Sequence, residues 1–271
     1  MASVEDFSEL IAARLQSDAS RLGAAWRASA NGCARHFIVD DLLPDDLAQD
    51  VAQSFPTDGA FWRTLKSFRE SKKTFAKLDT LNTVVADITD AFHQPGVLDA
   101  IEDITGLERL EADPSLYAGG ISLMRQGDFL NPHIDNSHDA EKRRYRRLNL
   151  LYYIAPDWVK ENGGNLELWD EAVTSPIEIT SRYNRLVVME TTRTSWHSVN
   201  PVAVDAARCC VSNYYFSRTS PDGVDYHHVT SFMGRPHEHW RRIAGRFDNA
   251  LRQIIASTLG VTRGKNLRRN V

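Results

Sequence analysis

Cysteine is scarce in this chain: three in 271 residues, one alone at Cys33 and two adjacent at Cys209 and Cys210. Neither a disulfide framework nor a zinc-binding spacing can be built from that set, so the thiols read as reduced, small apolar side chains. Long apolar runs are missing too. No stretch approaches the roughly 18 apolar residues that a bilayer span needs, and Met1-Ala2-Ser3-Val4-Glu5-Asp6 lacks the basic and apolar regions of a signal peptide. A cytoplasmic, soluble protein without a membrane partner is expected. Charge of one sign is not in excess either: the formal net charge of −4 gives no reason to expect a nucleic-acid or anionic-membrane partner. There is no internal repeat, low-complexity tract or clear linker. With 42% hydrophobic and 25% charged residues, the composition fits one globular domain spanning 1–271.

What is present changes character along the chain. The first third, 1–115, reads as largely helical support. Val4, Phe7, Leu10, Ile11 and Leu15 recur at helical spacing. A short strand at His36-Phe37-Ile38-Val39 precedes Pro44-Asp45-Asp46, a helix start whose apolar face is Leu47, Val51 and Phe55. A further helix is expected from Thr80 to Phe92, ending before Pro95-Gly96. From Leu116 to Ser217 the pattern shifts to short β runs: Ile121 to Arg125, Leu148 to Ile154, Asn165 to Trp169, Ile177 to Ile179, Leu186 to Glu190 and Arg208 to Ser217. Pro156-Asp157-Trp158 and Asn162-Gly163-Gly164 supply breaks. Such spacing suggests a β sandwich or barrel, mainly β with helical additions. The segment 218–271 is polar and then helical around Trp240 to Leu259.

The chemistry centres on Asn131-Pro132-His133-Ile134-Asp135. In a strand, residues i and i+2 share a face, so His133 and Asp135 can grip one ion from one side. The best third ligand is His197, 64 residues beyond His133, in Trp196-His197-Ser198-Val199-Asn200-Pro201. Two histidines and a carboxylate form the facial triad of non-haem Fe(II) oxygenases, which leaves adjacent coordination positions open. The remaining histidines persuade less. His138 and Asp139 fit a loop facing substrate or water, while His227-His228 and His237-x-His239 lack an accompanying cysteine or carboxylate cluster and read as solvated or capping residues. The run 142–147, Lys-Arg-Arg-Tyr-Arg-Arg, is either a solvated loop or a lid that draws an acidic substrate, or the cosubstrate, towards the metal.

Taken with Asn162-Gly163-Gly164-Asn165-Leu166-Glu167-Leu168-Trp169, His197-Ser198-Val199 and Arg208, the His133-Ile134-Asp135 element resembles the Fe(II)- and 2-oxoglutarate-dependent dioxygenases of the prolyl-4-hydroxylase-like group. The resemblance runs over roughly 116–217. It implies a double-stranded β-helix, a jelly-roll or cupin-like barrel, flanked here by N-terminal and C-terminal helices. It also implies Fe(II) held by His133, Asp135 and His197, with O₂ and 2-oxoglutarate as cosubstrates and ascorbate as an optional reductant. Arg208, eleven residues past His197, matches the basic position that pairs with the far carboxylate of 2-oxoglutarate, a task that suits the planar fork of a guanidinium. Strand alternation puts Cys210, Ser212 and Tyr214 on the same face as Arg208, so Ser212 and Tyr214 are candidate cosubstrate contacts.

The implied reaction is hydroxylation of an unactivated C–H bond, with 2-oxoglutarate converted to succinate and CO₂. Related halogenases replace the carboxylate ligand by a small residue; Asp135 keeps that position filled, which favours hydroxylation, with desaturation or ring formation as the other outcomes left open. The substrate expected is a small polar or amino-acid-like molecule. The alternatives carried beside it are a prolyl hydroxylase acting on a protein and a non-catalytic cupin-like binding module. Trp158, Trp169, Trp196, Tyr152 and Tyr153 read as core rather than mouth, and Phe232-Met233-Gly234-Arg235-Pro236 as a segment that covers the mouth.

Overall fold

The computed structural model describes residues 2–30, 32–81, 83–117 and 119–238; the helix expected around 240–259, and His239, lie outside the described residues. Helix α1 (Val4–Ser17) opens with a capping box, in which Ser3 Oγ accepts from the Asp6 amide and the Asp6 carboxylate accepts from the Ser3 amide. It buries Phe7, Ile11 and Leu15. Then follow α2 (Ala19–Ala28), β1 (His36–Asp40), α3 (Asp45–Ser54), β2 (Arg63–Lys66), β3 (Glu70–Phe75), α4 (Thr83–Ala91) and α5 (Pro95–Thr105). After β4 (Glu111–Ala112) come β5 (Gly120–Met124), β6 (Phe129–Ile134), β7 (Tyr145–Tyr153), β8 (Leu166–Trp169) and β9 (Pro176–Ile179). The rest are β10 (Arg185–Glu190), β11 (His197–Val199), β12 (Arg208–Ser217) and β13 (Ser231–Phe232). Among the described residues no helix is long and apolar enough to cross a membrane.

The strands run in the order β1-β10-β7-β12-β5-β3-β6-β11-β8-β9, and each pairing along it is antiparallel. Strand β3 joins the two halves: Lys73 to Phe75 pair with β5, and Glu70 and Ser71 pair with β6. The curled sheet is a double-stranded β-helix, as the sequence implied. Alternation along its strands separates two environments. On β7, Leu148, Leu150 and Tyr152 join the core shared with the helices, and on β12 Cys209, Val211 and Tyr215 do the same. The opposite faces turn into the barrel, where Tyr153, Cys210, Leu166, Leu168, Val187 and Met189 pack together. Trp158, Trp169, Trp196, Tyr152 and Tyr153 are all buried, in agreement with their reading as core.

Two elements in the first third differ from expectation. The helix expected to stop before Pro95-Gly96 does so, as α4, and the unexpected element is α5, which Pro95 opens at the first turn, where its missing N–H costs nothing, and which Gly106 closes in the left-handed conformation. The β2–β3 hairpin was read as part of a helical region. Its residues are polar and mostly half-exposed, so no period-2 apolar pattern marks it.

Candidate metal and cosubstrate site

His133 on β6 and His197 on β11 face each other as direct cross-strand partners. Their ring centroids lie 4.1 Å apart. Asp135 follows the last residue of β6 and keeps the side of His133: its Oδ1 is 3.6 Å from His133 Nε2 and its Oδ2 3.6 Å from His197 Nε2. One donor atom from each of the three lies within 4.8 Å of the others. Each imidazole is oriented by its own strand. His133 Nδ1 donates to the Asn131 carbonyl and His197 Nδ1 to the Ser195 carbonyl, both at 3.0 Å. A carbonyl can only accept, so in the neutral ring the proton sits on Nδ1 and the Nε2 lone pair is free for a metal. Burial, and then the neighbouring His133, lower the His197 imidazole to about 4, which keeps that lone pair available at neutral pH. Two imidazoles and one carboxylate on one side of a common point form a donor set that fits Fe(II).

The carboxylate is held as firmly as the rings. Asn149 Nδ2 donates to Asp135 Oδ2 at 2.7 Å, and the Arg146 guanidinium lies 3.2 Å from the same oxygen. Burial alone would raise the Asp135 carboxyl; the Arg146 charge leads the opposing influences, and the carboxyl lies well below the usual carboxylate range. Arg146, only 2% exposed, was not singled out in the sequence beyond the basic run 142–147. That run is neither a solvated loop nor a lid as a whole. Arg146 and Arg147 are buried in β7, and Arg144 pairs with Asp139 at 2.7 Å. A register shift between Tyr215 and Phe216 of β12 leaves Arg147 without a partner on that strand. Simple alternation from Asn149 would turn Arg147 towards the ligands; the bulge turns Arg146 there instead.

Behind the triad lies a cavity of about 100 Å³ lined by His133, Asp135, Asn149, His197, Arg208, Cys210, Ser212 and Tyr214, among others. The structure thus brings Arg208, Ser212 and Tyr214 to one wall, as alternation along β12 predicts. Arg208 is 4% exposed. Its Nε donates to Ser181 Oγ at 3.1 Å, its NH1 reaches Met124 Sδ at 3.6 Å, and its guanidinium carbon stands 4.7 Å from the Tyr153 ring centroid. None of these partners is a carboxylate. A buried guanidinium without a countercharge among the described residues fits an anionic ligand. The buried Tyr153 hydroxyl lies beside the same Arg208 and Ser181 side chains. Gly164 makes room for Arg208: its φ is +65°, and a Cβ there would stand 3.0 Å from Arg208 Cδ and from Val202 Cγ2. That is more than the turn-shaping role the sequence suggested for it.

A larger cavity, about 210 Å³, adjoins the smaller one and shares His133, Asp135 and Tyr214 in its lining. Phe232 on β13 pairs with His133 and stacks on its ring at 5.3 Å, so part of the 232–236 segment packs over His133. His138 and Asp139 are buried and line this cavity, as do His227 and His228. The last two are therefore not simply solvated: His228 Nε2 donates to the Asp135 carbonyl at 2.6 Å. Only the fold brings them here, from a loop 91 residues beyond Ser137, whose hydroxyl accepts from the His228 amide.

An antiparallel double-stranded β-helix with a buried two-histidine, one-carboxylate site and a guanidinium behind it defines the non-haem iron oxygenase class of proteins. Residues 119–216 match the sequence model of the 2OG-Fe(II) oxygenase superfamily. Proteins of that superfamily use Fe(II), 2-oxoglutarate and O₂. The chain is 33% identical over 103 residues to the prolyl 3-hydroxylase OGFOD1 of Xenopus laevis, covering 35% of this chain and 20% of that protein. It therefore spans about a fifth of the length of this curated relative. Among solved structures it resembles a Trichoplax adhaerens prolyl hydroxylase in complex with a hypoxia inducible factor peptide (TM-score 0.53, 18% identity, 74% of this chain and 91% of that one). A Pseudomonas putida prolyl-4-hydroxylase is similar at the same TM-score of 0.53 and 18% identity, over 72% of this chain and 98% of that one. At these identities the two structures speak to the fold.

Proposed function

We propose that this protein is a 2-oxoglutarate-dependent dioxygenase that hydroxylates an unactivated C–H bond, with His133, Asp135 and His197 as the Fe(II) ligands and Arg208 as the anchor of 2-oxoglutarate. The observation that carries the reading is the convergence of the three donors within 4.8 Å, with both histidine Nδ1 protons already committed to carbonyls. Fe(II), when bound, couples O₂ activation to the conversion of 2-oxoglutarate into succinate and CO₂, with one oxygen atom delivered to the substrate. The chain's own task is placement. Arg208 holds the far carboxylate in the smaller cavity, with Ser212 and Tyr214 on the same wall. Asn149 and Arg146 fix the rotamer of Asp135. Phe232 closes one side of His133 against water. Selectivity then depends on which C–H bond the larger cavity holds nearest the metal.

The substrate we favour is a compact polar or amino-acid-like molecule that enters the larger cavity. A prolyl residue of a protein is the second reading, supported by the 33% identity to the Xenopus prolyl 3-hydroxylase over 103 residues. The test is succinate release from 2-oxoglutarate with Fe(II) and ascorbate, for native protein and His133→Ala, in the presence of free amino acids or of proline-containing peptides. Turnover by the native protein alone, with one oxygen atom gained by the substrate, supports the assignment. Equal turnover by the two proteins, or no binding of 2-oxoglutarate to the native protein, refutes it.

A further inference from the structure

The larger cavity has a charge pattern that points to a substrate class. Its carboxylates are already engaged. Asp135 is paired with Arg146, Asp139 with Arg144, and Glu70 with Lys72 at 3.5 Å. Two cations on the same lining, Arg63 and Lys142, have no carboxylate within ion-pair distance among the described residues, and both are exposed at the rim. Arg63 is the first residue of β2, fixed by its pairing with Thr74. Lys142 ends a turn built on Asp139: the Lys142 amide donates to the Asp139 carbonyl at 3.2 Å, and the Asp139 carboxylate accepts from the Arg143 amide at 2.9 Å. The nearby Glu141 is taken by Arg143 at 3.2 Å. Part of the wall is apolar, made by Phe75, Leu116, Leu130, Val229 and Phe232, and it stands beside polar groups that include Lys72, Asn136, His138 and His228. Arg208 is not part of this lining, since it faces the smaller cavity behind the triad.

Resting on the function proposed above, we propose that the substrate carries an anionic group, a carboxylate or a phosphate ester, which Arg63 and Lys142 hold at the rim while an aliphatic segment reaches along the apolar part of the wall to the metal. Two anion subsites then flank the ligands, an inner one at Arg208 for the cosubstrate and an outer one at Arg63 and Lys142 for the substrate. Unpaired cations at a low-dielectric cavity mouth concentrate anions there and orient them, because field lines focus in the opening. The apolar part of the wall disfavours a group charged along its whole length.

The experiment is calorimetric titration of protein loaded with Ni(II) and 2-oxoglutarate, which fills the inner subsite and prevents turnover. The probes are butyrate, methyl phosphate and the neutral butyramide. The native protein is expected to bind at least one of the two anions about tenfold or more tightly than butyramide, the scale of charge-assisted contacts. Arg63→Gln/Lys142→Gln is expected to remove that preference; both side chains are exposed, so the fold is not at stake. A preference for methyl phosphate identifies a phosphate ester, and a preference for butyrate identifies a carboxylate. Equal binding of all three probes, or a double variant that binds the anions as the native protein does, overturns the proposal. Arg208→Gln separates this outcome from failure of the proposed function. If 2-oxoglutarate does not bind, anion affinity that survives Arg208→Gln and is lost in the double variant still reports the outer subsite.

Discussion

Arg146, almost wholly buried, sets its guanidinium 3.2 Å from Asp135 Oδ2, so the one carboxylate among the three metal-site donors has a fixed countercharge of its own. Removing one partner of such a buried pair leaves an uncompensated charge. Arg146→Met is expected to destabilise the metal-free protein by about 3 kcal/mol. A divalent cation would restore part of that loss by replacing the missing positive charge. Thermal melts of native and variant protein, with and without metal, check this. Identical melts without metal would remove Arg146 from the account.

Asn149 offers a separate handle on the same carboxylate, since its amide donates at 2.7 Å without adding charge. Asn149→Leu keeps the volume and deletes the hydrogen bond. Loss of an outer partner of a metal ligand typically costs about 10- to 100-fold in affinity. Competition with a chelator of known affinity measures it, and Fe(II) affinity equal to that of the native protein would contradict the proposed orienting role.

Gly164 tests the cosubstrate side. A Cβ at that position would crowd Arg208 Cδ at 3.0 Å, on a backbone that L side chains rarely adopt. Gly164→Ala is therefore expected to weaken 2-oxoglutarate binding while leaving Fe(II) affinity unchanged, because no metal donor touches it. Arg208→Gln, which removes charge-assisted bonds of about 1.5–3 kcal/mol each, is expected to weaken 2-oxoglutarate by about 100-fold. Both are read from 2-oxoglutarate titrations at saturating metal.

The sheet edge predicts a pH effect far from the site. Arg185 grips Asp40 through two bonds, of 2.6 and 2.9 Å, tying β10 to β1. The Arg185 hydrogen bond holds the Asp40 carboxyl below its ordinary value, against a smaller opposing effect of burial. A carboxyl depressed in the folded state stabilises above its unfolded value, near about 3.9, and that stability is lost as pH falls through the folded value. Arg185→Met should then cost about 1 kcal/mol at pH 7, as befits a partly exposed pair, and less at pH 3. Denaturant midpoints at the two pH values decide it. A cost that grows on acidification would reverse the sign of the argument.

The thiols give a direct check on packing. Cys209 and Cys210 are buried, and burial pushes the Cys209 thiol up to about 12, whereas Cys33 is half-buried. Alkylation of native protein at pH 8 is expected to label Cys33 alone, and all three cysteines after unfolding. Labelling of Cys209 or Cys210 in the native protein would show that β12 opens readily.

Much of the site was legible because strand alternation is a rigid rule. The expected bounds of β12, Arg208 to Ser217, match the structure, and its period of two placed Arg208, Ser212 and Tyr214 on one wall without knowledge of the fold. His133 and His197 were legible as candidate metal donors by residue type and setting, although their cross-strand pairing was not. What stayed hidden depends on departures from regularity. A bulge chose Arg146 over Arg147, and no periodic pattern records a bulge. The β2–β3 hairpin holds the two sheet halves together through backbone hydrogen bonds while its side chains stay polar. His227 and His228 reach the cavity from a long loop, and loop paths leave little trace in local sequence.

The convergence of His133, Asp135 and His197 on one ion is most directly tested by equilibrium binding of Fe(II) under anaerobic conditions to native protein and to His133→Ala, Asp135→Ala and His197→Ala. One tightly bound Fe(II) per native chain, with affinity collapsing in each variant, is the expected result. A variant lacking His197 that still binds Fe(II) as tightly as the native protein would contradict the account.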